Sequence, residues 1–228
     1  MQCRIQIQLQ IRIKLITTPN TIPVPFNYQE KLVGTLHKWI GENEIHDKIS
    51  LYSYSWLQGG CLKNNALDFT HGSEMFISFH HEKWIKQIIR SILNSPEMFC
   101  GMCVTDIVLI NSPDDLKNRE LFFCASPILI KRKLANGSIR QYNFNDANAG
   151  ELLKETLINK MRQAGLEDDE TLDIQFDISY SKKKLKLVHY HNIGNKASLC
   201  PVRIKGKIET KLFAWNVGIG NSTGIGLG

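Results

Sequence analysis

Apolar and polar residues alternate without a break along residues 2–15. The odd positions, from Cys3 to Leu15, are apolar, and the even positions are Gln, Arg or Lys. A period of two is the period of a β-strand with one buried face, so the pattern predicts a long first strand. The polar face contains no acid. It can therefore hydrogen-bond a nucleic acid, although simple solvation explains it equally well.

Two later segments have the spacing of amphipathic helices. After a proline-rich loop, apolar residues recur at helical spacing over residues 28–41, and again over residues 82–93. Asn27 suits the N-cap of the first helix, and Glu30, three residues later, completes a capping box. We therefore expect two helices in the first half of the chain.

Strand-like segments surround these helices. Residues 51–57 and 102–110 predict single strands, and residues 67–69 and 75–79 predict a hairpin around the turn 70–73. The resulting order, β-α-β-β-α-β, is the ferredoxin-like arrangement that RNA-recognition-motif domains also use. The polar segment 111–115 marks a natural boundary.

The second half repeats part of this order. A strand over residues 121–134, interrupted at Pro127, leads through a turn at 135–138 to a helix over residues 147–165. Strands at 172–178 and 202–208 follow, and a short helical or irregular piece covers 211–215. We predict an α+β fold of two tandem ferredoxin-like domains, residues 1–115 and 116–228. The last strand of a second complete unit is missing from this pattern.

The chain ends in a glycine-rich segment, residues 217–228, which contains five of its sixteen glycines. Apolar residues alternate with these glycines, which predicts a tight loop anchored to a core. A loose terminus is the simpler alternative. Neither a P-loop nor a dinucleotide fingerprint fits, because Gly-Lys-Ser/Thr is absent and no helix follows.

The charge is distributed unevenly. Residues 1–115 carry a net charge of −1, whereas residues 116–228 carry +7. A basic half beside a neutral half indicates a polyanionic partner, although a solvated basic face is common. The chain has no signal-peptide core and no run of about 18 apolar residues. We therefore expect a cytoplasmic protein with no membrane contact.

Six cysteines are scattered along the chain, and Cys100 and Cys103 form a lone Cys-x-x-Cys pair. A zinc site needs a second ligand pair, and none stands at a suitable spacing. His189 and His191 share one face of a predicted strand, but no carboxylate or cysteine completes a site. The sequence therefore predicts reduced thiols, no metal and no cofactor.

Three short motifs occur in a particular order: Leu51-Tyr52-Ser53-Tyr54-Ser55, then Ala125-Ser126-Pro127-Ile128, then the glycine-rich segment. Together with the two ferredoxin-like halves, they resemble the CRISPR-associated RNA-processing endoribonucleases of the repeat-associated (RAMP) superfamily. The resemblance covers essentially the whole chain. It implies precursor CRISPR RNA as the substrate, and it allows other effector subunits or a second copy of the chain as further partners.

The resemblance also implies the chemistry. Enzymes of that family cut the repeat without a metal, by attack of a 2′-hydroxyl on the adjacent phosphate, leaving a 2′,3′-cyclic phosphate and a 5′-hydroxyl. Histidine can transfer protons near neutral pH, and lysine can stabilise the added negative charge. His37 and His46 match the proton-transfer positions, and Lys48 or Lys38 matches the cation. Either histidine could be the acid.

Basic side chains and loop amides provide candidate RNA contacts. The predicted RNA-binding residues are Arg4, Arg12, Lys14, Lys182, Lys183, Lys184, Arg203, Lys205, Lys207, Gly218, Gly220, Asn221, Ser222, Thr223 and Gly224. Lys186 and Lys211 are further candidates for neutralising phosphates. The aromatic side chains Tyr52, Tyr54 and Trp56 share one face, where a core stripe is favoured over base stacking.

Two other functions remain open at the level of sequence. A non-catalytic RNA-binding scaffold subunit of the same superfamily would have the same fold without needing the histidine pair. A ferredoxin-like metabolite-binding or regulatory module would need neither the basic half nor the acid-free strand face. The histidine pair favours the endoribonuclease.

Overall fold

A computed structural model describes residues 12–41 and 50–228 of the protein. The first half begins with a strand that continues two residues beyond the predicted one. Its elements are β1 (Arg12–Thr17), α1 (Gln29–Ile40), β2 (Tyr52–Tyr54), β3 (Cys61–Lys63), β4 (Ala66–Asp68), β5 (Glu74–Phe79), α2 (Glu82–Asn94) and β6 (Val104–Ile110).

Four of these strands form one antiparallel sheet in the order β2-β5-β1-β6. The order places the first strand in the centre, as in a ferredoxin-like domain, and both helices are inserted where that fold requires them. The hairpin β3–β4 is an addition. Ile13 and Leu15 of β1 are fully buried, so the apolar face of the alternating strand covers the core as predicted.

The second half has the β-α-β-β-α order of a ferredoxin-like unit, with two hairpins inserted. It begins with β7 (Leu121–Phe122). Its elements after β7 are β8 (Ile130–Lys133), β9 (Ile139–Tyr142), α3 (Ala149–Gln163), β10 (Asp173–Phe176), β11 (Lys184–Tyr190), β12 (Ile193–Leu199), β13 (Val202–Lys205) and α4 (Ile208–Val217). A short 3-10 turn, Thr223–Ile225, lies within the glycine-rich segment.

The second sheet has the order β10-β13-β7, which is the ferredoxin-like order without its fourth strand. The hairpins β8–β9 and β11–β12 lie outside it. The α+β class and the two ferredoxin-like units are thus confirmed. Separate hydrophobic cores support the division. The buried residues of one core come from between Ile13 and Met102, and those of the other come from between Leu116 and Ile219. The boundary at residue 115 stays a prediction.

The predicted hairpin of residues 67–69 and 75–79 is wrong. β4 pairs with β3, whereas β5 pairs with β1 and β2. The turn between β3 and β4 is Asn64-Asn65, and both residues have positive φ, 48° and 57°. Two consecutive residues of this conformation make the turn that joins tight hairpins, and asparagine tolerates it well.

Three other expectations need correction. The N-cap of α1 is Tyr28, not Asn27. The Glu30 carboxylate, which was expected in a capping box, accepts a hydrogen bond from the backbone N–H of His191 at 2.7 Å. The interrupted strand at 121–134 is two strands, β7 and β8, which lie in different sheets. The piece at 211–215 belongs to a longer helix, α4, which is buried on most sides from Thr210 onward because it packs between the two domains.

His80 lies at this junction. It follows β5, is only 7% exposed, and meets the edge of the Phe213 ring of α4 at a centroid distance of 5.0 Å. Its Nδ1 has no hydrogen-bond partner among the described residues. Burial, with a smaller effect of His81, lowers the pKa of His80 to about 4. The imidazole is therefore neutral in the folded protein under most conditions.

We expect this histidine to make the protein sensitive to acid. The pKa is about 6.5 in the unfolded chain and about 4 in the folded protein, so the unfolded state binds the extra proton between these values. The free energy of unfolding should therefore fall as the pH falls from 6.5 to 4. His80→Phe should flatten this dependence in denaturant titrations, whereas His71→Asn, in an exposed turn, should not. An equally steep profile in His80→Phe would contradict the assignment.

Candidate functional site

His37 lies in the last turn of α1 and is half-buried. The opposite side of this helix packs into the first core through Leu32, Leu36 and Trp39. Lys38 points elsewhere, since its ammonium contacts Ser95 at 3.1 Å and the Glu97 carboxylate at 3.8 Å. Lys38 is therefore engaged in a surface ion pair.

His46 and Lys48 lie outside the described residues, as does Arg4. The two ends of the intervening segment are described. Gly41 ends α1 with a φ of 75°, only four residues after His37. Ser50, at the other end, contacts the glycine-rich segment, because its carbonyl accepts a hydrogen bond from the Thr223 hydroxyl at 3.4 Å. The described residues that flank His46 and Lys48 in sequence thus lie at the end of the turn of His37 and against the glycine-rich segment.

The glycine-rich segment packs against the first domain. Tyr52 and Tyr54 donate their hydroxyls to the Gly224 carbonyl at 3.5 and 3.4 Å, and the Trp56 indole N–H donates to the Gly226 carbonyl at 3.0 Å. Burial raises the pKa of Tyr52 to about 12. These three aromatic side chains therefore anchor the loop and pack in the hydrophobic core. The sequence pattern favoured this core role over base stacking.

Two glycines make this packing possible. A Cβ on Gly224 would stand 2.4 Å from the Ser50 hydroxyl, and a Cβ on Gly226 would stand 2.5 Å from the Gln29 amide nitrogen. Gly226 also has a φ of 72°. Any larger side chain would push the segment away from α1 and β2. The segment is an ordered loop and not a loose terminus.

Two cations of the second domain hold the same loop. The Lys160 ammonium, on α3, donates to the carbonyls of Val217 and Gly218 at 3.2 and 3.0 Å and to the Thr223 hydroxyl at 3.4 Å. Arg132, on β8, donates to the Asn221 side-chain oxygen at 3.2 Å. Burial lowers the pKa of Lys160 to about 7, although its three acceptors favour the charged form.

The loop is therefore a brace between domains, which corrects part of the predicted RNA contact. Gly220 and Thr223 are buried. The Asn221 backbone N–H donates to the Leu129 carbonyl at 2.9 Å, and its side-chain oxygen accepts from the Lys131 backbone at 2.8 Å. Half-exposed parts of the loop, at Gly218, Asn221, Ser222 and Gly224, stay predicted RNA contacts.

Arg12 also has an internal role. Its guanidinium donates to the Trp215 carbonyl of α4 and lies over the Trp215 ring, 3.8 Å from the centroid. Burial lowers its pKa to about 10. In this arrangement the Arg12 side chain joins the two domains, and its contact with phosphate stays a prediction. Lys14 is half-buried and pairs with Glu74 at 3.2 Å.

Most of the other predicted cations are directed to solvent. Lys182 and Lys184 are exposed and Lys183 is half-exposed, at the start of the hairpin β11–β12. Arg203 and Lys205 lie at outward positions of β13, and Lys207 is the residue before α4. Arg203 contacts Asp177 at 3.4 Å. Lys186 is half-buried. Lys211 is buried and donates to the Lys117 carbonyl, so it is not a phosphate contact.

The weaker metal hypotheses gain no support. His191 lies in a two-residue turn with Asn192, where both have positive φ, and β11 ends at Tyr190, so His189 and His191 do not share a strand face. The five described cysteines are free thiols. Within residues 12–41 and 50–228, no cluster of three or more His, Cys, Asp or Glu side chains is arranged to hold a metal ion.

A family model described as "CRISPR associated protein Cas6, C-terminal" matches residues 110–228, just over half of the chain. The chain belongs to the Cas6 family. The matched region contains the second domain, with its basic residues and the glycine-rich loop. No curated protein sequence matches the chain.

Solved structures share the complete fold. A structure described as "CRISPR associated protein Cas6" has a TM-score of 0.81 at 18% identity, over 96% of this chain and 97% of its own. A Cas6-related protein from Pyrococcus furiosus has 0.82 at 21%, over 96% of both chains. "An RAMP protein binding different RNA substrates" has 0.81 at 22%, over 96% and 97%. The Cas6 likeness thus extends to the first domain. None of the described helices is long and apolar enough to span a membrane.

The role of Arg12 leads to a stability prediction. Arg12→Met should lower the free energy of unfolding by about 2 kcal/mol, because a hydrogen bond to a helix end and a stacked cation are lost together. Denaturant titration measures this change. Lys184→Met, at an exposed position, should change it by less than about 0.5 kcal/mol. Unchanged stability of Arg12→Met together with weakened RNA binding would restore the phosphate contact.

Proposed function

We propose that the protein is a metal-independent endoribonuclease that cleaves precursor CRISPR RNA within the repeat. The observation that carries this proposal is the geometry around His37. The described residues on either side of His46 and Lys48 are Gly41, which ends the turn of His37, and Ser50, which contacts the glycine-rich segment. Family membership supports CRISPR repeat RNA as the ligand, and two structures of similar fold are described as Cas6 product complexes.

The reaction needs two proton transfers. One histidine removes the proton of the 2′-hydroxyl, and its oxygen attacks the adjacent phosphorus. The P–O5′ bond breaks, the other histidine protonates the leaving 5′-oxygen, and the products carry a 2′,3′-cyclic phosphate and a 5′-hydroxyl. His37 and His46 are our candidates for these transfers, in either order, since imidazole can give or take a proton near neutral pH. Lys48 is our candidate for stabilising the phosphorane charge.

The exposed cations of the second domain are candidates for binding the RNA backbone. Lys182 and Lys183 stand directly before β11, and Lys184 is its first residue. The first turn of α1 contacts the far end of the same hairpin through Glu30 and His191. The basic hairpin therefore lies against the helix that bears His37. An RNA strand that follows the hairpin towards α1 would reach the first turn of that helix, about two helical turns before His37.

The proposal is tested with labelled repeat RNA in EDTA. We expect one cut, with a cyclic-phosphate end, without added metal. His37→Ala should lower the single-turnover rate by about 10²–10⁴, with little change in the dissociation constant, because the histidine acts on the reacting atoms. The triple variant Lys182→Ala, Lys183→Ala, Lys184→Ala should do the reverse. It should weaken binding and lower the slope of log affinity against log salt by up to about 2, while cleavage at saturating RNA continues.

Other outcomes separate the alternatives. Binding of repeat RNA without any cut would identify a non-catalytic scaffold subunit. Cleavage that requires added metal would contradict the mechanism, and full activity of His37→Ala would contradict the role of that residue. Failure to bind RNA at low salt would favour a regulatory or metabolite-binding module.

A further inference from the structure

Lys160 is a buried cation that the proposed reaction does not use. It lies on α3 and is only 1% exposed. Its described partners are two carbonyl oxygens and one hydroxyl oxygen, none of them charged. A buried ammonium is costly unless its donors are well matched, and an apolar side chain of the same length would cost less to bury. The position therefore calls for an explanation beyond packing.

The three acceptors all belong to the end of α4 and the loop that follows it. Val217 ends the helix, Gly218 leaves it with a φ of 67°, and Thr223 returns five residues later. One ammonium thus joins the two sides of the loop. An ammonium has three donors and no acceptor, so a single Lys side chain is sufficient for all three contacts.

The contact with Thr223 orients its hydroxyl. Because the ammonium can only donate, the Thr223 oxygen must accept from it, and the hydroxyl proton is left for another acceptor. That acceptor is the Ser50 carbonyl, at 3.4 Å. The contacts therefore run from α3 of the second domain, through one hydroxyl, to the first described residue after the segment that contains His46 and Lys48.

Close packing supports the same connection. Gly224 has no room for a Cβ against Ser50, and its carbonyl accepts both tyrosine hydroxyls of β2. A shift of the loop would therefore move Ser50 and β2 together. The methyl group of Thr223 fits between Gly218 and Gly228, where added atoms would be 2.9 and 1.9 Å away. The threonine is thus fixed by its shape as well as by its hydrogen bonds.

We propose that Lys160 is a positioning residue for the cleavage reaction, which acts through the Thr223 hydroxyl on Ser50 and on β2, the strand that follows Ser50. This inference rests on the proposed function. Lys160 and Thr223 touch no RNA in this account. Their effect is on the rate of the chemical step and not on affinity.

The test compares Thr223→Val, which removes the hydroxyl and keeps the shape, with Thr223→Ser, which keeps the hydroxyl. We expect Thr223→Val to slow single-turnover cleavage by about tenfold to a hundredfold, as a misplaced catalytic group does, with a dissociation constant for repeat RNA within twofold of the original. Thr223→Ser should recover most of the lost rate. If it folds, Lys160→Met should resemble Thr223→Val, and the double variant should be little slower than the slower single variant, because both remove one shared contact.

Several results would overturn the inference. Cleavage by Thr223→Val at the original rate is one of them, and equal slowing of the Val and Ser variants is another. A fall in affinity by the same factor as the rate is the third, and it would make the loop an RNA contact. If the unmodified protein binds RNA but does not cut it, the proposed function fails separately. Hydrogen exchange then still tests whether the Thr223 hydroxyl is coupled to Ser50 and β2. Faster exchange at residues 50–54 in Thr223→Val than in Thr223→Ser supports it, and identical exchange contradicts it.

Discussion

The last carbonyl groups of α4 determine how the molecule is joined together. The final four carbonyls of a helix have no partner within it, and they carry its partial negative charge. Here the Trp215 carbonyl accepts from Arg12, and the Asn216 carbonyl accepts from the hydroxyls of Ser53 and Ser78 at 2.9 and 2.8 Å. The carbonyls of Val217 and Gly218 accept from Lys160. One helix end thus holds the first sheet, α3 and the glycine-rich loop.

This arrangement divides the basic residues into two groups. Arg12, Lys160 and Lys211 are directed inward, where backbone carbonyls accept hydrogen bonds from them. Lys182, Lys184 and Lys205 are directed outward, where they can neutralise phosphates. A high positive charge therefore serves two purposes in this chain. Only the outward group should affect the salt dependence of RNA binding, whereas the inward group affects stability and geometry.

Sequence patterns located the amphipathic helices, but they did not show the inserted hairpins or which elements pack together. The helical period located α1, α2 and α3 within about two residues, because each buries one continuous stripe. The alternation of polar and apolar residues in β1 placed Arg12 on the polar face of that strand. It could not show that α4 covers this face, since that depends on how two domains meet. The pair Asn64-Asn65 did carry a usable signal for the β3–β4 turn.

The glycine-rich loop shows the same limit. Its glycines predicted a close approach of backbones, and Gly224 and Gly226 make that approach. Their partner is protein, at Ser50 and Gln29, whereas phosphate was expected for the loop. A requirement for glycine indicates that space is short and does not indicate what occupies it. The candidate histidines could be chosen only through the family resemblance, because the periodicity of α1 gives His37 a place on the helix but no chemical role.

The most direct measurement is a crystal structure of the protein with repeat RNA that carries a 2′-deoxy nucleotide at the scissile position. The deoxy nucleotide lacks the attacking hydroxyl, so the uncut strand should remain bound. We predict that the scissile phosphate lies within hydrogen-bond distance of His37 at the end of α1, with the backbone along Lys182–Lys184, while Arg12 and Lys160 keep their contacts with α4. A scissile phosphate far from α1, or Arg12 turned out of the domain junction onto the RNA, would contradict this account.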